Sequence, residues 1–364
     1  MGFNCGIVGF PNVGKSTLFN ALTSTASAES ANYPFCTIEP NVGRIAVPDE
    51  RLWKLSQMAH SAVTIPTQLE FVDIAGIVKG ASAGEGLGNK FLANIRETDA
   101  ILHVVRCFEN EDITHVSGRV DPVSDIEVIN TELLLADLES VENRLPNLEK
   151  KAKSGDKQSK EILEVLLQVY ETLKDGLPAK QTKLSDAQKH ILKQLQLITT
   201  KPVMYICNVS ENDVVSGNEF TNAVCSKADG NPVVIISAEI ESEIALLNSD
   251  EDKIAFLNDL GLSETGLNRV VKRGYDLLGL ITFFTIGEKE SRAWTITKGT
   301  KAPGAAGTIH TDFERGFICS ETISWQDYLE CGSEQEAKKS GKMRLEGKEY
   351  IVQDGDVMHF RFNV

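Results

Sequence analysis

At 364 residues and 41% hydrophobic content, the chain is long enough for two or three domains with filled cores. A formal net charge of −15 excludes nucleic-acid binding through the bulk surface, so any RNA contact must use a local basic patch. The seven cysteines form no C-x-x-C pairs, and the sequence has no basic leader and no apolar run long enough to cross a bilayer. The chain therefore reads as cytoplasmic, with reduced thiols and with neither a membrane nor a DNA partner.

The first predicted element is a short apolar strand ending at Val8. Residues 9–16 then fit G-x-x-x-x-G-K-[ST], and Leu18, Ala21 and Leu22 follow at helical spacing. Strand and helix on either side argue against a chance match. In such a loop the glycines let the amides from Asn12 to Thr17 turn inward around a phosphate: Asn12, Val13, Gly14, Lys15, Ser16 and Thr17. Lys15 reaches the β- and γ-oxygens, Ser16 ligates Mg²⁺, and the new helix directs its positive end at the anion. The expected ligand is a nucleoside triphosphate.

Residues 32–41, bounded by Pro34 and Pro40, read as a switch segment. Residues 67–73 alternate like a strand and end in Asp73-Ile74-Ala75-Gly76, the D-x-x-G arrangement of a P-loop hydrolase. Asp73 is expected to hold Mg²⁺ through a water, and the Gly76 amide to face the γ-phosphate. Residues 80–88 are glycine-rich, either a second switch or a simple loop. Residues 100–106 form a buried strand.

From about Thr131, Leu134, Leu138, Val141, Leu145 and Leu148 recur at helical spacing, and Ile162, Leu166, Val169 and Leu173 repeat it after Ser154-Gly155-Asp156. The pair predicts an antiparallel hairpin, with a kink or break at Pro146. A third helix opens at Ser185, which with Gln188 fits a capping box. Strands then resume at 203–207 and 232–236. Their C-terminal ends carry Asn208-Val209-Ser210-Glu211 and Ser237-Ala238-Glu239, where open α/β sheets bind ligands. Past Leu280, strands are predicted at 282–286, 293–297, 349–352 and 357–362, with a hairpin turn at Asp354-Gly355-Asp356.

With these motifs in order, the chain resembles the Obg-like ATPases, the YchF subfamily of the translation-factor-related P-loop GTPases. The resemblance rests on residues 9–16, 34–41, 73–76, 208–211 and 350–357 and covers essentially the whole chain. It implies an α/β P-loop NTPase G domain (residues 1–130 and 201–280), an inserted antiparallel helical coiled-coil hairpin (131–200), and a C-terminal α+β domain of TGS-like β-grasp type (281–364). It also implies ribosome binding, and carries over Thr37 as the switch threonine on Mg²⁺ and His115 as the histidine used in hydrolysis.

At the base-recognition site Val209 and Glu211 replace the lysine and aspartate of N-K-x-D. An aspartate there accepts from guanine N1–H and the exocyclic amine; adenine presents an unprotonated N1 and no amine at C2. ATP is therefore the expected substrate over GTP. Ser237 and Ala238 complete the expected base pocket. Ile77 follows Gly76 where many relatives carry a water-orienting glutamine, so another group must serve. His115 is read either as that group or as a structural loop histidine, and His103 as a core histidine. Asn12 is read as a K⁺ ligand beside the phosphates or as a stabiliser of the loop.

Two basic patches stand out: Lys150, Lys151, Lys153, Lys157 and Lys160 at the hairpin tip, and Lys338, Lys339, Lys342 and Arg344 near the C-terminus. Either contacts RNA or is solvated surface. The favoured function is a monomeric, ribosome-associated ATPase acting as a nucleotide-dependent switch. A GTP-dependent translation or assembly factor, and a nucleotide-gated binding module with incidental hydrolysis, are the alternatives.

Overall fold

A computed structural model describes residues 3–30, 41–74, 87–114, 118–247 and 249–363. In chain order the first elements are β1 (Asn4–Val8), α1 (Lys15–Ser30), β2 (Val42–Ala46), α2 (Glu50–Met58), β3 (Val63–Ile65), β4 (Gln68–Asp73), α3 (Leu87–Glu97) and β5 (Ala100–Arg106). A helical excursion follows through α4 (Pro122–Lys153), α5 (Lys157–Lys174) and α6 (Asp186–Gln194). The chain returns through β6 (Val203–Asn208), α7 (Glu219–Lys227), β7 (Val233–Ile236), α8 (Ala238–Leu246), α9 (Asp250–Asp259) and α10 (Gly266–Leu277). It closes with β8 (Leu280–Thr285), β9 (Glu290–Thr297), α11 (Ala302–Ile309), α12 (Thr311–Arg315), β10 (Phe317–Ser324), α13 (Trp325–Cys331), α14 (Glu334–Lys339), β11 (Arg344–Glu346) and β12 (Asp356–Phe362).

The first sheet has the order β2-β4-β1-β5-β6-β7, parallel except for β2. Strands buried on both faces read as continuous apolar runs, and β5 is buried at every position. β6 lies beside β5 although the whole helical excursion separates them in sequence. β1 is central, with β4 and β5 on its two sides, so the loop leaving its C-terminal end opens where the chain's winding reverses. This is the P-loop G-domain fold expected from the sequence.

The helical pair forms as its spacing predicts. Val141, Val165, Leu166, Val169 and Leu173 are fully buried between α4 and α5, and the Ser185–Gln188 capping box opens α6. Two details differ. The first helix starts at Pro122, not near Thr131, because Asp121 caps it and Pro122 suits its first turn. Ile126, Ile129, Leu133 and Ala136 of that early stretch pack into the cores beneath the first sheet. The helix also runs through Pro146 unbroken: packing along the α5 seam offsets the lost hydrogen bond.

The second sheet has the order β11-β10-β12-β8-β9-β3. Its five C-terminal strands carry the β-grasp arrangement, with β12 parallel to β8 and antiparallel to β10. Residues 349–352 form no strand; Ile351 makes only an isolated bridge to Lys301, and the turn at Gly355 leads into β12 rather than closing a hairpin. β10 and β11 were not expected. Nor was β3, which comes from between the first sheet's strands β2 and β4 and pairs with β9. Leu52 and Leu55 of α2 are completely buried against Phe284, Ala293, Ile323 and Tyr328. Arg51 links the two parts further, reaching Asp49 at 2.8 Å and Asp354 at 2.7 Å.

Candidate active site

The phosphate loop is held in shape by its own backbone and by one distant side chain. Asn12 has φ 63° and Gly14 φ 96°. A side chain at Gly14 would strike the Asn208 amide, so glycine is required there for space as well as conformation. Asn208, buried at the end of β6, donates from Nδ2 to the Val13 carbonyl at 2.9 Å. Its Oδ1 accepts from the Ala238 amide, also at 2.9 Å. One side chain thus fixes the loop to the start of α8, whose N-cap is Ser237.

Lys15 opens α1 and is 8% exposed, while Ser16 and Thr17 are exposed beside it. Burial lowers the Lys15 pKa, and the negative charge of Asp73 opposes that shift. Burial likewise raises the Asp73 carboxyl, against the pull of Lys15. Asp73 Oδ1 is buried with no hydrogen-bond partner among the described residues. A carboxylate oxygen so placed, at a strand end facing the loop, suits a divalent cation or its bound water, so this donor set fits Mg²⁺. No group of three or more His, Cys, Asp or Glu side chains suited to a metal occurs among the described residues.

The structure therefore brings together Asn12, Val13, Gly14, Lys15, Asn208, Ser237 and Ala238, with Asp73 across from Lys15. Val209 departs from its expected place. It is 2% exposed, packs with Val105, Cys107 and Tyr205, and presents no side-chain surface to a base. The apolar side chain just past the end of β6 turns into the core. Glu211 begins a short 3-10 turn and is exposed. Thr37, Gly76 and His115 lie outside the described residues. His103 is buried against Tyr205, where desolvation pushes its pKa down to about 3, so it stays neutral as a core residue.

Two contacts were not foreseen. Asn12 donates from Nδ2 to the Thr114 carbonyl at 3.2 Å, a partner 102 residues away rather than a local one. Arg106, at the end of β5, is 1% exposed and bonds the carbonyls of the segment that follows. An arginine closing an otherwise buried, largely apolar strand was the available signal.

A family model described as a 50S ribosome-binding GTPase matches residues 4–135, and the YchF-type GTPase C-terminal model, described as a protein of unknown function, matches residues 280–363. The chain is 55% identical to the ribosome-binding ATPase YchF of Bacillus subtilis and 57% identical to that of Haemophilus influenzae, each covering 100% of both chains. The solved structure of the Schizosaccharomyces pombe YchF GTPase superposes with a TM-score of 0.88 at 38% identity, over 99% of this chain and 97% of that one. With more than half of its residues identical to those of bacterial relatives along their full length, and its fold superposing on that of the fission-yeast protein, the chain belongs to the YchF family.

Proposed function

We propose that this protein is a ribosome-associated nucleoside triphosphatase that hydrolyses ATP in preference to GTP and acts as a nucleotide-dependent switch. The observation that carries the base preference is the Asn208-Val209-Ser210-Glu211 corner. Val209 lies in the core and offers no stem to cover a base, and the Glu211 carboxylate sits exposed on a turn. Because glutamate is one methylene longer than aspartate, its carboxylate need not stand where guanine's N1–H and amine require a fixed acceptor, at a cost of about 1–3 kcal/mol for unpaired polar groups. The bacterial relatives are named ATPases and the fission-yeast relative a GTPase, so both nucleotides belong in the test. Calorimetric titration is expected to give ATP at least about fivefold tighter than GTP. Equal affinities, or tighter GTP, would return the chain to the GTP-dependent reading.

In the chemistry, Lys15 and the loop amides would hold the β- and γ-phosphates, and Ser16, Thr37 and Asp73 would hold Mg²⁺ directly or through water. Mg²⁺, when bound, offsets the charge that develops on the transferred phosphoryl group. The Gly76 amide would meet the γ-phosphate, and His115 would orient the attacking water in place of the absent glutamine. The G domain (1–130 and 201–280), the helical insertion (131–200) and the TGS-like domain (281–364) divide the work between nucleotide and partner. Within that scheme the early turns of α4, although packed on the nucleotide core, carry the insertion.

Asn12 engages Thr114 through its amide nitrogen, which leaves the oxygen end as the one suited to a cation. K⁺ there would do part of an arginine finger's work. Hydrolysis is expected to run at least about threefold faster in KCl than in NaCl at equal ionic strength, with the difference lost in Asn12→Ala. Equal rates in the two salts across a concentration range would remove K⁺ from the mechanism.

A further inference from the structure

β12 is paired along its whole length on one side and over only part of it on the other. Against β10 its antiparallel register runs from Asp356 to Phe362. Against β8 the parallel register holds at Val357 opposite Phe284 and goes no further, because β8 ends at Thr285 and the chain turns back into β9. Residues 359–362 therefore have no strand alongside them on that side among the described residues. Their sequence, His-Phe-Arg-Phe, has neither the proline nor the lysine that commonly protects an open strand edge.

A cavity of 410 Å³ lies along this edge. Trp294, Phe313 and Phe360, which pack on the α11 side of the sheet, line it together with Ile323 and Tyr328 from the opposite side. The Trp294 indole is fixed by a bond from its Nε1 to the Thr285 hydroxyl at 2.9 Å, and the Phe313 and Phe362 rings stack with centroids 3.8 Å apart. Neighbouring residues of a strand point to opposite faces, so a space that touches both Val357 and Met358 lies in the plane of the sheet. An occupant in that plane has apolar side chains on both faces and unpaired N–H and C=O groups along one edge, which another extended main chain satisfies. Four residues of edge at about 3.3 Å each accept roughly 13 Å of such a chain.

Charge narrows the choice of partner. Glu290, Glu321 and Glu334 line the cavity, and no lysine or arginine does. Glu321 is matched by Arg361 at 2.5 Å and Lys338 at 3.9 Å, whereas Glu290 has only Arg292 at 3.9 Å and Glu334 makes no ion pair among the described residues. Aromatic walls suit stacked nucleobases too, yet a phosphate chain would meet carboxylates and no cation at this rim.

We propose that the free edge of β12 binds an extended peptide segment by strand addition. One apolar side chain of the segment enters the cavity beside Trp294 and Phe360, and its lysine or arginine side chains face Glu290 and Glu334. None of the lining residues belongs to the phosphate loop, so the proposal stands apart from the nucleotide reaction.

Selection of a random peptide library displayed on phage against the full chain tests this. Enriched sequences are expected to carry several Lys or Arg around one large apolar residue. Made synthetically, the strongest should bind by calorimetry with a Kd on the order of 10 μM, and at least about tenfold more weakly to the double variant Glu290→Lys, Glu334→Lys. Each single reversal should weaken binding by at least about threefold, which keeps the test decisive if the double variant unfolds. Only one edge of an added strand meets β12, so N-methylation of alternate peptide amides should weaken binding at least about tenfold in one register and less than about twofold in the other. Acidic or absent enrichment, undiminished binding to the charge-reversed variants, or the same response to N-methylation in both registers overturns the proposal. So does a uridine oligonucleotide that displaces the peptide and binds the double variant more tightly than the wild-type chain, which would make the cavity an RNA site.

Discussion

Lys15→Ala is expected to lower ATP turnover by about 10²- to 10³-fold, since it deletes the side-chain cation proposed above to hold the β- and γ-oxygens. The variant should keep its fold. Lys15 is absent from the packed apolar clusters beneath the sheet, and its burial depresses its pKa, so the fold holds that charge at a cost. Removing it relieves that cost, and the melting temperature should stay level or rise slightly. Asp73 is meanwhile left without its electrostatic counterpart, so its carboxyl should titrate higher still. Ser16→Ala is the companion variant: it keeps the cation and loses the hydroxyl proposed above to ligate Mg²⁺, so rising Mg²⁺ should recover part of its turnover and none of that of Lys15→Ala. Unchanged turnover in Lys15→Ala, in preparations free of contaminating ATPase, would end the phosphate-loop account.

The second large effect is expected at the far end of α4. Lys150, Lys151, Lys153, Lys157 and Lys160 are all exposed around the turn between α4 and α5, and no ion pair engages their side chains among the described residues. The other basic patch differs. Lys338 faces Glu321 at 3.9 Å, Lys339 pairs with Glu336 at 2.6 Å, Lys342 with Asp327 at 2.8 Å, and Arg344 lies 3.4 Å from Asp356. Its charge is largely neutralised on the spot, whereas the hairpin tip keeps its own. Changing the five tip lysines to glutamate should weaken ribosome cosedimentation by at least about 10²-fold and flatten its salt dependence by roughly three to five units of slope. The same change at Lys338, Lys339 and Lys342 should have a much smaller effect. If the C-terminal set proves decisive and the tip set silent, the RNA-facing surface belongs on the second sheet.

Elements with strong local periodicity were legible. β5 matches the predicted residues 100–106, and the Ser185 capping box forms as read, because an apolar run and a cap are short-range signals. The first turns of α4 were missed although Asp121 and Pro122 announce a helix start; the apolar seam begins later, and it drew the boundary to itself. β3 had no chance of being read correctly, since three residues, Val63 to Ile65, gain strand character only from β9. At the site, motif spacing identified the loop, Lys15 and Asp73. It could not tell that Val209 turns inward, because the residue just past β6 takes its facing from tertiary contacts, its amide bonding the Ile236 carbonyl. The Asn12–Thr114 contact is equally tertiary, joining residues 102 apart.

β3 also sets an order of events during synthesis. It is made early, yet the strand it pairs with begins at Glu290. At roughly 5–20 residues per second, the roughly 225 residues between Ile65 and Glu290 take on the order of 10–45 s to appear. Throughout that interval Leu52 and Leu55 have none of their later neighbours from the second sheet. The nascent chain thus carries an uncovered apolar helix and an unpaired strand until the last quarter emerges, features that invite association with other chains. A protein of this topology gains from slow, dilute expression and from chaperones that shield short apolar helices, and it reaches its mature form only at the end of translation.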